Sequence, residues 1–96
     1  MNSLVVYDVE TLSRDGQRRL RRVAKLCEGY GQRVQYSVFE VVCSRTKMAK
    51  LVVDLEAAID PRCDSIRIYP LASDGLERVL ALGLRRELRQ AEAWVL

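Results

Sequence analysis

Two features of this sequence could do chemistry: a lone carboxylate closing an apolar run, and a dense block of arginines shortly after it. Asp8 sits near the end of "LVVYDV", residues 4–9, flanked by Tyr7 and Val9. A carboxylate in an apolar strand is penalised by desolvation unless it lies at the strand's edge, is hydrogen-bonded or binds a metal. Mg²⁺ needs few protein ligands, often one or two carboxylates plus waters. One aspartate per subunit could therefore suffice if two subunits face each other across a two-fold axis. In the plainer alternative, Asp8 terminates the strand and caps the following loop, with Glu10 merely nearby. Both readings stand on these residues alone.

The chain has no histidine, so the usual general base is absent. Its cysteines, Cys27, Cys43 and Cys63, form no CxxC pair and have no histidine to complete a zinc set. Cys27 and Cys63 read as small hydrophobes and Cys43 as a strand residue. A catalytic thiol would need an activating base that the sequence does not offer. The odd cysteine count argues for a reducing compartment. No signal peptide is visible, and no apolar run approaches the roughly 20 residues that span a bilayer. A cytoplasmic protein with no membrane partner is expected.

The arginine block comprises Arg18, Arg19, Arg21, Arg22 and Lys25, with Arg14 upstream and Arg33 downstream. The formal net charge is only +3, but its distribution is uneven. Residues 1–48 hold nine basic and five acidic side chains, whereas residues 49–96 hold seven and eight. On a helix, positions 18, 21, 22 and 25 share one side. Like charges at that spacing repel, and arginine forks suit phosphate oxygens. The block reads as a phosphate rail, weighed against an ordinary solvated helix face. Tyr36, Phe39 and Tyr69 are candidates for stacking bases, weighed against strand aromatics that belong to a core.

These residues need elements to position them. Residues 4–9 read as a strand. Ser13 is a plausible N-cap, with Asp15 in the first turn of a helix whose Leu20, Val23, Ala24 and Cys27 make one apolar face. Gly29 and Gly31 are its stop signals. "RVQYSVFEVVCS", residues 33–44, reads as either one long bent strand or two short ones. Ser44 can cap a second helix over about residues 45–59, with Met48, Leu51, Val52, Leu55 and Ile59 as its stripe. Asp60-Pro61 ends that helix. "DSIRIYPL", residues 64–71, is a further strand, with Pro70 marking an edge or turn. Residues 76–83 fit a strand or a helical turn, "LRRELRQAEA" favours helix, and "AWVL" resembles an edge strand. The order βαββαβ predicts one ferredoxin-like α+β domain over residues 1–96, with two helices on one face of an antiparallel sheet. A chain of this length has a modest core and often dimerises.

In combination, "YDV", "RRLRRVAKLCEGYGQRVQYSVFE" and "IDPRCDSIRIYPL", in this order, resemble the small CRISPR-associated endoribonuclease family. Its members are the smaller of the two proteins that act in spacer acquisition. The likeness runs over about residues 4–71. It implies a ferredoxin-like homodimer and a Mg²⁺-dependent nuclease acting on RNA or DNA, with Asp8 of each subunit as metal ligand. By position, Tyr7, Arg19, Arg21, Arg33 and Phe39 match residues the family associates with activity. The resemblance further places Arg33 near the metal, and Ser37 and Phe39 near the dimer seam. It also implies an adaptor role, in which the dimer bridges dimers of the larger CRISPR integrase protein and its basic surface holds the protospacer duplex. Arg14, Arg18, Arg19, Arg21, Arg22, Lys25, Arg33 and Phe39 are the expected nucleic-acid contacts, with single-stranded RNA as a further ligand. Residues 76–96 are expected to form a C-terminal extension that pairs across the dimer or with a partner. The competing reading is a ferredoxin-like toxin-type endoribonuclease or RNA-binding module outside CRISPR.

Overall fold

The structure is a computed structural model that describes residues 1–83. Four strands and two helices follow in the order β1 (Asn2–Asp8), α1 (Arg14–Glu28), β2 (Gly31–Gln35), β3 (Val38–Val42), α2 (Arg45–Ala58) and β4 (Ser65–Leu71). The strands form one antiparallel sheet in the order β2-β3-β1-β4. This is the α+β ferredoxin-like arrangement expected from the element order.

Period-two alternation decides which side of β1 is buried. Val5 and Tyr7 face the helices with Phe39 and Val41 of β3, while Leu4, Val6 and Asp8 take the other face. Onto the inner face α1 packs Val23 and Cys27, and α2 packs Met48, Leu51, Leu55 and Ala58. Leu20 and Ala24 of α1, Val52 of α2 and Ile59 just past its end pack at the margin of this core. The stripes read from the sequence are therefore the buried ones.

Both expected caps form. Ser13 Oγ accepts from Gly16 N at 3.0 Å, and Ser44 Oγ accepts from Lys47 N at 3.2 Å. Residues 33–44 resolve into two strands, β2 and β3, joined through Tyr36 and Ser37, with a register shift between Arg33 and Gln35. Such an irregularity bends the strand and increases its local twist. Cys43 lies just past β3 rather than in it. Pro70 is accommodated because β4 is an edge strand. Residues 73–78 form turns rather than a strand, fastened to β1 by Asn2 Nδ2 donating to Ser73 O at 2.8 Å. The expected "AWVL" strand and its pairing lie outside the described residues. No helix among those residues is long and apolar enough to cross a membrane.

Candidate functional site

Asp8 ends β1 opposite Ser65 of β4, and its side chain is exposed on the sheet face away from the helices. It accepts no hydrogen bond and holds no ion pair among the described residues, so both carboxylate oxygens are open to a ligand. Those residues contain no group of three or more acidic, cysteine or histidine side chains able to enclose a metal. A hard cation that keeps most of its waters tolerates so sparse a set. The residues therefore fit Mg²⁺ through Asp8 if a second copy of the chain supplies a second carboxylate.

Tyr7, Arg33 and Phe39 lie elsewhere. Ladder partners share a face, and the register sets Arg33 beside Phe39 and Phe39 beside Val5, on the helix side. Arg33 is thus across the sheet from Asp8, which corrects the expectation that it neighbours the metal. Its guanidinium stands 5.2 Å over the Phe39 ring and pairs with Glu28 at 3.6 Å. Its Nε is buried with no hydrogen-bond partner among the described residues. Phe39 is 0% exposed and stacks on Tyr7, with ring centroids 6.1 Å apart. A ring so enclosed cannot stack a base, which removes Phe39 from the direct contacts. Among the described residues, the exposed aromatic rings are instead Tyr36 at the hairpin turn and Tyr69 on β4.

The Tyr7 hydroxyl donates to Tyr36 O at 3.1 Å and ties β1 to the turn of the β2–β3 hairpin. Burial raises its pKa, against the opposing influence of Arg33. Tyr7 therefore stays neutral and holds the fold around the hairpin. Burial likewise pushes the Cys27 thiol up to about 12, which confirms it as an inert core residue. Cys63 departs from its reading as a small hydrophobe, because its side chain is exposed. Desolvation and the nearby Asp60 and Asp64 carboxylates raise its pKa.

The arginine block divides once α1 forms. Arg14, Arg21, Arg22 and Lys25 are exposed and hold no ion pair among the described residues, as a phosphate-binding face requires. Arg18 is exposed but reaches Asp15 at 3.6 Å. This i,i+3 pair supplies an acid that the block itself lacks. Arg19 departs from the others. Its side chain is 20% exposed, Nε donates to Asp64 Oδ2 at 2.7 Å, and Nη2 approaches Glu10 Oε2 at 3.4 Å. It is committed to an internal network rather than to the open surface.

Sequence reading passed over Asp64, the carboxylate that Arg19 engages. Burial would raise its pKa, but Arg19 and the backbone N–H groups of Asp60 and Glu10 outweigh burial and hold it below the ordinary range. The only local signal was an acid directly before a β-branched strand, a position that many surface acids share.

Comparison with known proteins places this geometry among relatives. The family model described as CRISPR associated protein Cas2 matches residues 1–79. The CRISPR-associated endoribonuclease Cas2 3 of Rhodospirillum rubrum is 50% identical over 82 residues, covering 85% of this chain and 86% of that protein. The CRISPR-associated endonuclease Cas2 of Halalkalibacterium halodurans is 45% identical over 82 residues, covering 85% of each. The crystal structure of Streptococcus pyogenes Cas2 at pH 6.5 superposes with a TM-score of 0.78 at 47% identity. That alignment covers 86% of this chain and all of the other.

Proposed function

The chain belongs to the CRISPR-associated Cas2 family, and from that premise we propose that it is a homodimeric adaptor for spacer acquisition. In this reading it holds duplex DNA and bridges dimers of the larger CRISPR integrase protein. Membership sets aside the reading of a toxin-type ribonuclease or RNA-binding module outside CRISPR. The observation that carries the adaptor role is the separation of the two chemical features. The unpaired basic groups lie along α1 on the helix side of the sheet, and Asp8 opens on the other side. A duplex held along α1 therefore need not pass over the carboxylate. Phosphate contacts from Arg14, Arg21, Arg22 and Lys25 would position the duplex without reading its sequence.

A second activity is favoured by the open carboxylate of Asp8: metal-dependent phosphodiester hydrolysis, acting on RNA or DNA. The named relatives differ on this point, one being called an endoribonuclease and the other an endonuclease. Asp8 from each of two subunits would hold Mg²⁺. When bound, the ion supplies charge stabilisation at a phosphoryl oxygen and a more acidic water. Asp8 contributes negative charge and orientation. Tyr7 and Arg33 support it from within the fold, since neither reaches the open face.

The test compares wild-type protein with Asp8→Asn in cells that carry the integrase partner, alongside Mg²⁺-dependent cleavage in vitro. Asp8→Asn is expected to abolish cleavage while leaving the dimer, duplex binding and spacer acquisition intact. Loss of acquisition by a folded mutant dimer overturns the adaptor reading, because Asp8 would then act in acquisition itself. Cleavage at the wild-type rate overturns the metal site.

A further inference from the structure

Among the described residues, one ionisable side chain stands out for the number of elements it joins. The Asp64 side chain is 0% exposed. Three donors converge on it: Arg19 Nε of α1 at 2.7 Å, Asp60 N at 2.8 Å and Glu10 N at 2.9 Å. Asp60 and Asp64 belong to the α2–β4 loop, and Glu10 to the β1–α1 loop. A buried carboxylate is tolerated only with such compensation.

We propose that Asp64 is a positioning residue for Asp8: by clamping Glu10 and Arg19, it fixes the loop that leaves β1 and thereby the end of the strand that presents the Asp8 carboxylate. The assignment rests on the reading of Asp8 as a metal ligand, and it adds a residue to which that reading gave no part.

Three arrangements support the clamp. Asp8 pairs with Ser65, the residue after Asp64, so the clamped and presented carboxylates flank the same pair of strand ends. Their side chains leave on opposite faces, one sealed and one open. Beyond the clamp, Glu10 accepts from Ser13 N at 2.6 Å and from Ser13 Oγ at 2.8 Å, which ties the loop to the cap of α1. Finally, Gly16 has no Cβ where one would collide with the Glu10 carbonyl, so the loop lies directly on the first turn of α1. The segment after Asp8 is thus held from the α2–β4 loop, from the α1 cap and from the α1 backbone.

Arg19 takes a different role in consequence. It acts through Asp64 and Glu10 on the placement of Asp8, and its phosphate-binding role passes to its exposed neighbours. Groups that orient a metal ligand typically change metal affinity or activity by about 10–100-fold when removed.

The experiment uses the full chain as Asp64→Asn and Arg19→Gln, with Asp8→Asn in parallel. Each protein is titrated with MgCl₂ while the Asp8 amide resonance is followed, and hydrogen exchange is measured at the Glu10 and Ser13 amides. Asp64→Asn replaces an anionic acceptor with a neutral amide whose own N–H₂ must face a donor. It is expected to weaken the Mg²⁺ response about tenfold or more and to accelerate exchange at both amides. A folded Asp64→Asn with wild-type exchange and a wild-type Mg²⁺ response overturns the proposal. Faster exchange with an unchanged Mg²⁺ response also overturns it, because Asp64 would then serve the fold alone. Should Asp64→Asn fail to fold, Arg19→Gln, which leaves both backbone bonds to Asp64 in place, decides by its Mg²⁺ response, and a wild-type response overturns the proposal. If Asp8→Asn responds to Mg²⁺ as wild type does, the metal reading has failed by itself. The positioning role of Asp64, which rests on that reading, then falls with it.

Discussion

Asp60 and Asp64, four residues apart in one loop, reach low pKa values by different means. Asp60 is drawn down to about 2 by the Arg62 side chain and backbone N–H, a local fork at 3.0–3.1 Å. Asp64 is lowered, in spite of its burial, first by Arg19 far along the chain and then by the backbone N–H groups of Asp60 and Glu10. Both folded-state pKa values lie below the unfolded ones. Their stabilisation is therefore complete above the ordinary carboxylate range, near pH 4, and is lost as pH falls through the folded values. The thermal midpoint should be flat from pH 7 to about 5 and fall steeply between about pH 4 and 2. Asp64→Asn should start from a lower midpoint and show a shallower acid limb, as followed by circular dichroism melts across that range. An acid limb identical to wild type would assign the acid sensitivity to other carboxylates.

At the scale of elements, α1 serves three directions at once. Val23 and Cys27 enter the core, Arg19 turns toward the loops, and Arg21, Arg22 and Lys25 face solvent. A 3.6-residue period permits this, since neighbouring arginines leave the helix about 100° apart. Replacing Arg21, Arg22 and Lys25 together with alanine should weaken duplex binding and flatten its salt dependence. The slope of log affinity against log salt should fall by roughly 0.9 for each phosphate that is no longer neutralised. Alanine is a strong helix former, so α1 itself should persist. Binding measured from low to high salt checks both effects, and an unchanged slope would make the three groups a solvated face. Arg18 is left out because it already spends part of its charge on Asp15.

For the whole molecule, the two faces of the sheet are unequal. One is covered by both helices; the other carries Leu4, Val6, Val38, Val42 and Tyr69 with no element of the described chain over them. Val42 is 63% exposed and Tyr69 43%. This face is partly apolar, with Glu40 and Arg67 set among those side chains; beside an open Asp8 it suits association with a second copy, which would also bring a second carboxylate toward the first. Val42→Lys combined with Tyr69→Lys would place charges at two exposed positions of this face on different strands, without setting like charges directly opposite within the sheet. Sedimentation velocity is expected to show a monomer that keeps its circular dichroism spectrum and loses Mg²⁺-dependent cleavage. A variant that remains a dimer would move the association to another surface.

The sequence by itself determined the alternation of strands and helices, both helix caps, the apolar stripes of α1 and α2, and the family, but left open whether residues 33–44 held one strand or two. Each is carried by near neighbours: a 3.6-residue or two-residue period, a serine before a helix, or motif blocks read in order. Asp8 stood out as a charge at the end of an apolar alternation, but only the structure decided that its carboxylate is exposed and caps nothing among the described residues. Tertiary structure alone decided how the arginines divide and on which side of the sheet each candidate stands. Arg19 and Arg21 look equivalent in the chain, yet the first meets a carboxylate 45 residues away. Arg33 and Asp8 resemble a joint site until strand register sets them on opposite faces. Phe39 reads as either a base-stacking or a core aromatic until two helices close over it. Local preferences set the elements, but charge pairing and burial depend on residues distant in sequence coming together, and that happens only once the sheet and helices have packed.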